Sequence, residues 1–199
     1  VLRRETATGS LLGLALGHAV YGARAATAQW TYFASKYGRQ PRAVRELLAA
    51  ARRAHRWYPH NYYFAILAAE RAHAEAAACA PPDEELWRQA RFWCERGLAQ
   101  NPWRSSLRWL KTRLLWREAP AEAIRYWEQF TDWNFWEPWN HAVLAELYAR
   151  AGAFEKADEA LYWARGAPNY EDVRRAVLEE ARRQAAAQAA ALLEEGWGE

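Results

Sequence analysis

Apolar residues recur every three or four positions along most of the chain, and polar residues fill the positions between them. This is the spacing of amphipathic helices, whose apolar side faces a core. No stretch of useful length alternates apolar and polar residues one by one, as a half-buried strand does. The pattern therefore predicts an all-α fold, with helices roughly 13 to 30 residues long.

Proline, glycine and asparagine mark where these helices begin and end. Pro59, Pro82 and Pro102 interrupt the helical pattern, because a proline ring removes the backbone donor that a helix interior needs. Asn169, followed by Asp172 three residues later, is a favourable start for the last helix. We expect helices over residues 8–36, 41–57, 61–78, 82–100, 104–118, 120–130, 141–153, 154–166 and 169–195.

The prolines also recur at a spacing that indicates a structural repeat. Pro59, Pro102, Pro138 and Pro168 each follow a pair of predicted helices, at intervals of 43, 36 and 30 residues. Self-similarity near about 34 residues is typical of stacked helical hairpins. One hairpin cannot bury its apolar side alone, so neighbouring hairpins must stack.

Residues 144–169, LAELYARAGAFEKADEALYWARGAPN, resemble the tetratricopeptide repeat (TPR) family. That family places small residues at tight helix crossings, a glycine at the hairpin turn and aromatic residues between them. The matching positions here are Ala145, Tyr148, Gly152, Phe154, Ala157, Leu161 and Ala164. Weaker matches lie around Ala54, Gly97 and Ala123. The resemblance covers residues 30–170 and implies a non-enzymatic scaffold that binds protein partners.

Together, the pattern and the resemblance predict a TPR-like α-solenoid in three parts. Residues 1–36 are expected to form a long apolar N-terminal helix for assembly or anchoring. Residues 37–169 are expected to form about four helical hairpins, and residues 170–199 a long C-terminal capping helix. The outer half of that helix is rich in alanine and offers an alternative surface for another subunit.

The predicted first helix contains the run TGSLLGLALGHAVYGA, residues 8–23, which has no charged residue when His18 is neutral. Helical periodicity brings six of its residues to one side, namely Gly9, Leu12, Gly13, Leu16, Gly17 and Val20. Glycines at this spacing allow another helix to approach closely. Three interpretations stay open: burial between copies of the protein, a membrane anchor, and burial in the chain's own core.

Thirteen tryptophans are the most unusual feature of the composition. Those in predicted helices, such as Trp109 and Trp116, are expected to fill the core. Trp133, Trp136 and Trp139 fall in a predicted connection bounded by proline, where core packing is less expected. Because exposed tryptophans often anchor protein contacts, we expect these three at a protein interface rather than at a sugar-binding site.

Composition and charge argue against several classes of function. The net charge of +3 is small and the arginines are interleaved with glutamates, so we expect no nucleic-acid partner. No histidine pair has metal-ligand spacing, and no phosphate-binding or nucleophile motif occurs. We therefore expect no metal, no cofactor and no enzymatic activity. Cys79 and Cys94 are expected to be free, partly buried thiols.

These observations favour a structural protein that forms a homo-oligomer or filament through its N-terminal helix and aromatic surfaces. The chain has no methionine and starts at Val1, which indicates a processed N-terminus or a fragment boundary. Processing suits an extracellular or cell-envelope protein of a prokaryote. Two alternatives stay open. One is a TPR scaffold of a bacterial envelope (polysaccharide-assembly) protein, tethered to the membrane through residues 8–23; the other is a soluble adaptor that binds a peptide.

Overall fold

The computed structural model describes residues 2–38 and 43–196, with side-chain surroundings for residues 12–38 and 43–194. Over this part of the chain it contains nine α-helices and no strands. The helices are α1 (Leu2–Tyr37), α2 (Val44–Trp57), α3 (Tyr62–Ala78), α4 (Glu84–Gln100), α5 (Ser105–Glu118), α6 (Pro120–Trp133), α7 (Pro138–Arg150), α8 (Phe154–Trp163) and α9 (Tyr170–Gly196). The predicted all-α fold is confirmed.

Local capping explains several of the helix starts. The side chain of Asn61 caps α3 by accepting a hydrogen bond from the Tyr63 amide at 3.0 Å. Asp83 caps α4 in the same way and accepts from two amides of its first turn. Pro120 and Pro138 are the first residues of α6 and α7. Proline suits this position because the amide it lacks has no partner within the helix there.

Other helix ends differ from the prediction. α1 begins at Leu2 instead of residue 8, and α6 continues to Trp133 instead of residue 130. α7 begins at Pro138 instead of residue 141, since the proline opens the helix and the following residues continue it. The expected start of α2 at Pro41 lies outside the described residues. These differences change which aromatic side chains belong to helices and which to connections.

The side chain of Asn169 does not cap α9, so that prediction is wrong. Its Oδ1 atom is buried and has no hydrogen-bond partner. The first turn of α9 is closed instead by the backbone, where the Val173 amide donates to the Asn169 carbonyl at 3.0 Å. The sequence pattern of a cap was present, but the side chain points away from the amides it was expected to meet.

The helices divide into two compact units, Val1–Lys111 and Thr112–Glu199, and α5 crosses the division. In the first unit, α2 packs against α1 and α3, and α3 packs against α4. In the second unit, α7 packs against α6, α8 and α9. Each unit therefore has a core of its own.

Alanines build the centre of the first unit. The alanines of α3 without exposed surface are Ala65, Ala68, Ala69, Ala72 and Ala76. Side chains this small let neighbouring helices approach closely. The second half of α1 joins this core, because Ala28 is buried beside Ala54 and Phe64. Tyr32 of α1 packs against the same Phe64 ring, with centroids 5.5 Å apart.

A close approach of α3, α4 and α5 in the first unit depends on Gly97. A Cβ atom at this position would lie 2.5 Å from Leu107 Cδ1 and 3.2 Å from Ala65 Cβ. One turn earlier, the buried Cys94 thiol donates to the Leu107 carbonyl at 3.2 Å. Both cysteines are free thiols, and Cys79 is half-buried, as the sequence predicted.

The TPR-like positions of the second unit lie where its helices cross. Ala145, Ala157 and Ala164 have no exposed surface, and Leu161 is also buried. Tyr148 and Phe154 are half-buried. The three alanines are therefore fully buried, whereas the two large aromatic residues keep part of their surface exposed.

Gly152 ends α7 in the conformation that glycine favours. Its φ is 76°, a left-handed value that costs other residues about 1–2 kcal/mol. The Gly152 amide donates to the Ala149 carbonyl, and the Ala153 amide donates to the Tyr148 carbonyl. This pair of bonds is the Schellman ending of a helix. It turns the chain sharply into α8.

The first half of α9 covers α7, whereas its second half is exposed. Val173 and Val177 are buried, and Gln184 Nε2 donates to the Ala149 carbonyl at 3.3 Å. All residues from 185 to 194 are exposed, including Leu192 and Leu193.

We expect Gly97→Ala to lower the free energy of unfolding by about 1–3 kcal/mol, because the new methyl group overlaps buried neighbours. Gly22→Ala is the matched control, since a Cβ atom at Gly22 meets nothing within 4 Å. That control should leave stability unchanged or raise it. Urea denaturation followed by circular dichroism measures both variants. Equal effects of the two changes would contradict the close approach at Gly97.

Burial raises the pKa of the Cys94 thiol to about 12, well above its ordinary value of about 8.5. Because the thiolate is the reactive form, folded protein at about pH 8 should expose one fast-reacting thiol, Cys79, to a colorimetric thiol reagent. Unfolding in urea should make the second thiol, Cys94, react as well. Cys79→Ser should abolish the fast reaction, and Cys94→Ala should preserve it. Fast labelling of the folded Cys79→Ser variant would refute the buried position of Cys94.

Candidate functional site

The first half of α1 carries an exposed apolar surface. Leu12, Leu14, Leu16 and Val20 are 65%, 62%, 59% and 51% exposed. The interpretation that the chain's own core buries this segment is therefore wrong for residues 12–24, all of which are exposed. Contiguous exposed apolar residues often mark a surface that a partner covers.

Glycines keep this surface shallow. A Cβ atom added at Gly13 or Gly17 would meet nothing within 4 Å, so no element within residues 2–38 and 43–196 packs against the helix there. Helical periodicity puts both glycines on the same side as Leu12 and Leu16. The surroundings of Gly9, the first residue of the predicted stripe, lie outside the described side chains.

Polar side chains of α1 find their hydrogen-bond partners on the helix itself. His18 Nδ1 donates to the Leu14 carbonyl at 3.0 Å. The hydroxyl groups of Thr27, Thr31 and Ser35 each donate to the carbonyl four residues earlier. A donor that is already paired costs less to bury than an unpaired one. These side chains therefore do not prevent a partner from covering the helix.

The three tryptophans predicted at an interface have different surroundings. Trp136 lies in the connection, as expected, and is 86% exposed. The expected place in the connection is wrong for the other two, because Trp133 is the last residue of α6 and Trp139 lies in the first turn of α7. Trp133 is 60% exposed. The half-buried Trp139 ring packs against the buried Trp127, with centroids 5.4 Å apart. Trp127 Nε1 in turn donates to the Asn140 carbonyl at 3.0 Å.

A cleft of about 320 Å³ lies between α6, α7 and α8 of the second unit. The residues that line it are Glu128, Thr131, Asp132, Phe135, His141, Leu144, Tyr148, Lys156, Glu159, Ala160 and Trp163. We refer to it below as the aromatic-acidic cleft. It combines aromatic side chains with three carboxylates and one ammonium group.

Aromatic rings form one wall of the aromatic-acidic cleft. The rings of Phe135 and Trp163 lie 4.9 Å apart at 65°, and His141 packs edge-on against Phe135 at 4.9 Å. His141 Nε2 donates to the Phe135 carbonyl at 2.7 Å, which ties the connection to α7. Trp136 packs edge-on against Phe135, with ring centroids 5.3 Å apart. The connection between α6 and α7 is therefore held in place by aromatic contacts on both sides.

Carboxylates surround Tyr148 on the other side of the aromatic-acidic cleft. The Tyr148 hydroxyl donates to Glu128 Oε1 at 2.6 Å, and Lys156 Nζ lies 5.4 Å from the ring centroid. Burial raises the pKa of Tyr148, and the hydrogen bond to Glu128 and the negative charges of Glu128, Glu159 and Asp132 raise it further. All three carboxylates therefore act on the same phenol, and they outnumber the one ammonium group of the lining.

A second groove, of about 560 Å³, lies between α7 and α9 and contains charges of both signs. Arg150 Nη2 lies 3.6 Å from Glu146 Oε2, and Arg183 pairs with Glu180. Burial raises the pKa of Glu146, while the charge of Arg150 acts in the opposite direction. Because these charges pair with each other, the groove presents less unmatched charge than the aromatic-acidic cleft.

Sequence reasoning missed the aromatic-acidic cleft. Its residues come from three helices and a connection, and no motif links them along the chain. One signal was available in the sequence. Phe135 lies between Trp133 and Trp136, in the predicted connection whose tryptophans we expected at an interface. The acidic partners Glu128 and Glu159 were indistinguishable from exposed charges on helix surfaces.

The described residues define the chain as an all-α protein. No family model, no curated protein and no solved structure matches it. In the part of the chain with described positions, no group of three His, Cys, Asp or Glu side chains is placed to hold a metal ion. Within the same residues, no helix has the length and apolar character needed to cross a membrane.

Trp139→Ala should lower the free energy of unfolding by about 2 kcal/mol, because it removes a half-buried ring that packs against Trp127. Trp136→Ala, three residues earlier, is the control and should change it by less than about 0.5 kcal/mol, since that ring is largely exposed. Chemical denaturation measures both. If Trp136→Ala proved the more destabilising of the two, the assigned surroundings of these rings would be wrong.

Proposed function

We propose that this chain is a non-enzymatic, TPR-like scaffold that self-associates through the first half of α1. The observation that carries the proposal is the exposed apolar surface of Leu12, Leu16 and Val20 beside the open positions Gly13 and Gly17. Covering such a surface is favourable, because burying one leucine side chain fully contributes roughly 1.5–3 kcal/mol. A contact of several leucines is enough to drive association.

The glycines favour a helix as the covering element. Without side chains at positions 13 and 17, a second helix can approach α1 closely, and Leu12 and Leu16 can pack around it. The same segment of a second copy meets this requirement. A two-fold contact between the two segments closes a dimer, and a head-to-tail contact continues into a larger oligomer or a filament. The paired hydroxyl and imidazole groups of α1 add little desolvation cost.

Packing in the second unit supports the TPR-like part of the proposal. The buried alanines Ala145, Ala157 and Ala164 lie where the family has small residues at helix crossings. Gly152 ends the first helix of the hairpin with a positive φ. We extend this arrangement to a solenoid of about four hairpins in which α9 is the capping helix. Scaffolds of this kind act by binding, which agrees with the expected lack of enzymatic activity.

Trp133 and Trp136 provide a second place for protein contact, since both rings are exposed and exposed tryptophans often anchor such contacts. An extracellular or cell-envelope location in a prokaryote remains a prediction. The alternative that lipid covers α1 in a membrane-tethered scaffold is also a prediction. Self-association and lipid contact predict different behaviour of the purified chain.

The test compares two pairs of exposed leucines. We expect the parent chain to sediment as an oligomer or filament, and Leu12→Gln/Leu16→Gln to sediment as a monomer, because polar side chains remove the gain from burial. Leu192→Gln/Leu193→Gln changes an equally exposed pair on α9 and should sediment like the parent. Sedimentation velocity and electron microscopy measure assembly, and circular dichroism verifies folding of each variant.

Two outcomes would overturn the proposal. A parent chain that stays monomeric at high concentration contradicts self-association, and assembly that is lost only in the Leu192/Leu193 variant moves the contact to α9. Gly17→Leu adds a further distinction, because it increases apolar surface but blocks close approach of a helix. Assembly should weaken in that variant. If the parent chain is monomeric and floats with anionic lipid vesicles, lipid covers the apolar surface of α1.

A further inference from the structure

We propose that the aromatic-acidic cleft binds an arginine side chain presented by a partner protein. This surface lies in the second unit, is formed by other residues than the apolar surface of α1, and does not depend on self-association. The cleft volume of about 320 Å³ is near the lower end of the range for small-ligand pockets. That is enough for one long side chain, and too little for a packed helix.

Charge is the first argument for a cationic ligand. The cleft contains the carboxylates of Glu128, Asp132 and Glu159 and a single ammonium group, that of Lys156. Glu128 is engaged by the Tyr148 hydroxyl, whereas Asp132 and Glu159 are exposed at the rim. The cleft is therefore negative in a chain whose overall net charge is +3. A cation is attracted to this place.

The second argument is an internal precedent. The chain's own Lys156 ammonium group rests over the Tyr148 ring, 5.4 Å from its centroid. The cleft thus already holds one cation on an aromatic face, which is the geometry of a cation–π contact. The Trp163 ring offers a further aromatic face, because Trp163 is 43% exposed. The Phe135 ring packs edge-on against it and restricts its movement.

Aromatic rings next to carboxylates favour arginine over lysine. A guanidinium group is planar, so it can stack on Trp163 while its N–H groups donate to Asp132 or Glu159. An ammonium group can satisfy the carboxylates but has no flat face for the ring. A contact of this kind occurs elsewhere in the second unit, where the Arg165 guanidinium lies 4.9 Å from the Tyr162 centroid.

The test titrates the full chain with a short arginine peptide, acetyl-Gly-Ser-Arg-Ser-Gly-amide, and with its citrulline counterpart. Citrulline has the shape of arginine without its charge, so it isolates the guanidinium contribution. The protein carries 5-fluorotryptophan, and the Trp163 signal is assigned by its loss in Trp163→Phe. We expect the arginine peptide to shift this fluorine resonance and the citrulline peptide to leave it unchanged.

Charge variants give effects in opposite directions. Glu159→Gln should weaken peptide binding about threefold to fivefold, as expected for loss of one partly exposed ion pair. Glu155→Gln, on the same helix but outside the cleft lining, should leave binding unchanged. Lys156→Gln removes the cleft's own cation and should tighten binding. Raising the salt concentration should weaken binding of the parent chain.

Each titration is repeated in the Leu12→Gln/Leu16→Gln chain, so that failure of self-association and failure of this proposal are distinguishable. Equal shifts with arginine and citrulline peptides, equal effects of Glu155→Gln and Glu159→Gln, or weaker binding by Lys156→Gln would each refute the proposal. If Glu159→Gln instead abolished oligomerisation of the chain alone, the occupant would be an arginine of a second copy. The unfolding midpoint of every variant is measured as a control. An unchanged midpoint excludes loss of folding as the cause of a change in peptide binding.

Discussion

The close approach of helices through alanine and glycine is the constraint on which the rest of this structure depends. In the first unit, the Leu107 side chain occupies the space that a side chain at Gly97 would need, beside Ala65. In the second unit, Ala145 of α7 and Ala157 of α8 have no exposed surface. Helices this close leave little interior volume for large side chains. Only a few large rings, such as Trp93 and Trp127, are fully buried.

That constraint explains where the aromatic residues lie. A chain with thirteen tryptophans and alanine-lined crossings must place many rings at helix ends and in connections. The connection between α6 and α7 is the clearest case, because Phe135 is held by contacts with His141 and Trp163 while Trp136 stays exposed. The aromatic wall of the cleft is thus a consequence of how tightly the neighbouring helices pack.

Helix positions could be predicted from the sequence because they depend on local signals. Pro120 and Gly152 act through their own backbone, so α6 begins and the hairpin turns where they were expected to. Pro138 acts in the same way, but it opens α7 three residues before the expected start. Asn169 fails as a cap because its side-chain direction depends on its neighbours in space. The aromatic-acidic cleft could not be predicted for the same reason: Glu128, His141 and Glu159 meet only through the crossing of three helices. For α1, periodicity identified the apolar side but not which half of the helix is covered.

The two proposed contacts differ in the physical origin of their affinity, so that they can be controlled separately. The surface of α1 gains by removing leucine from water, a contribution that salt does not screen. The cleft gains by charge and ring contacts, which weaken as ionic strength rises. Leu12 and Leu16 belong to one unit, and Asp132 and Glu159 to the other. A substitution in one surface therefore leaves the side chains of the other unchanged, which allows the two proposed contacts to be tested independently.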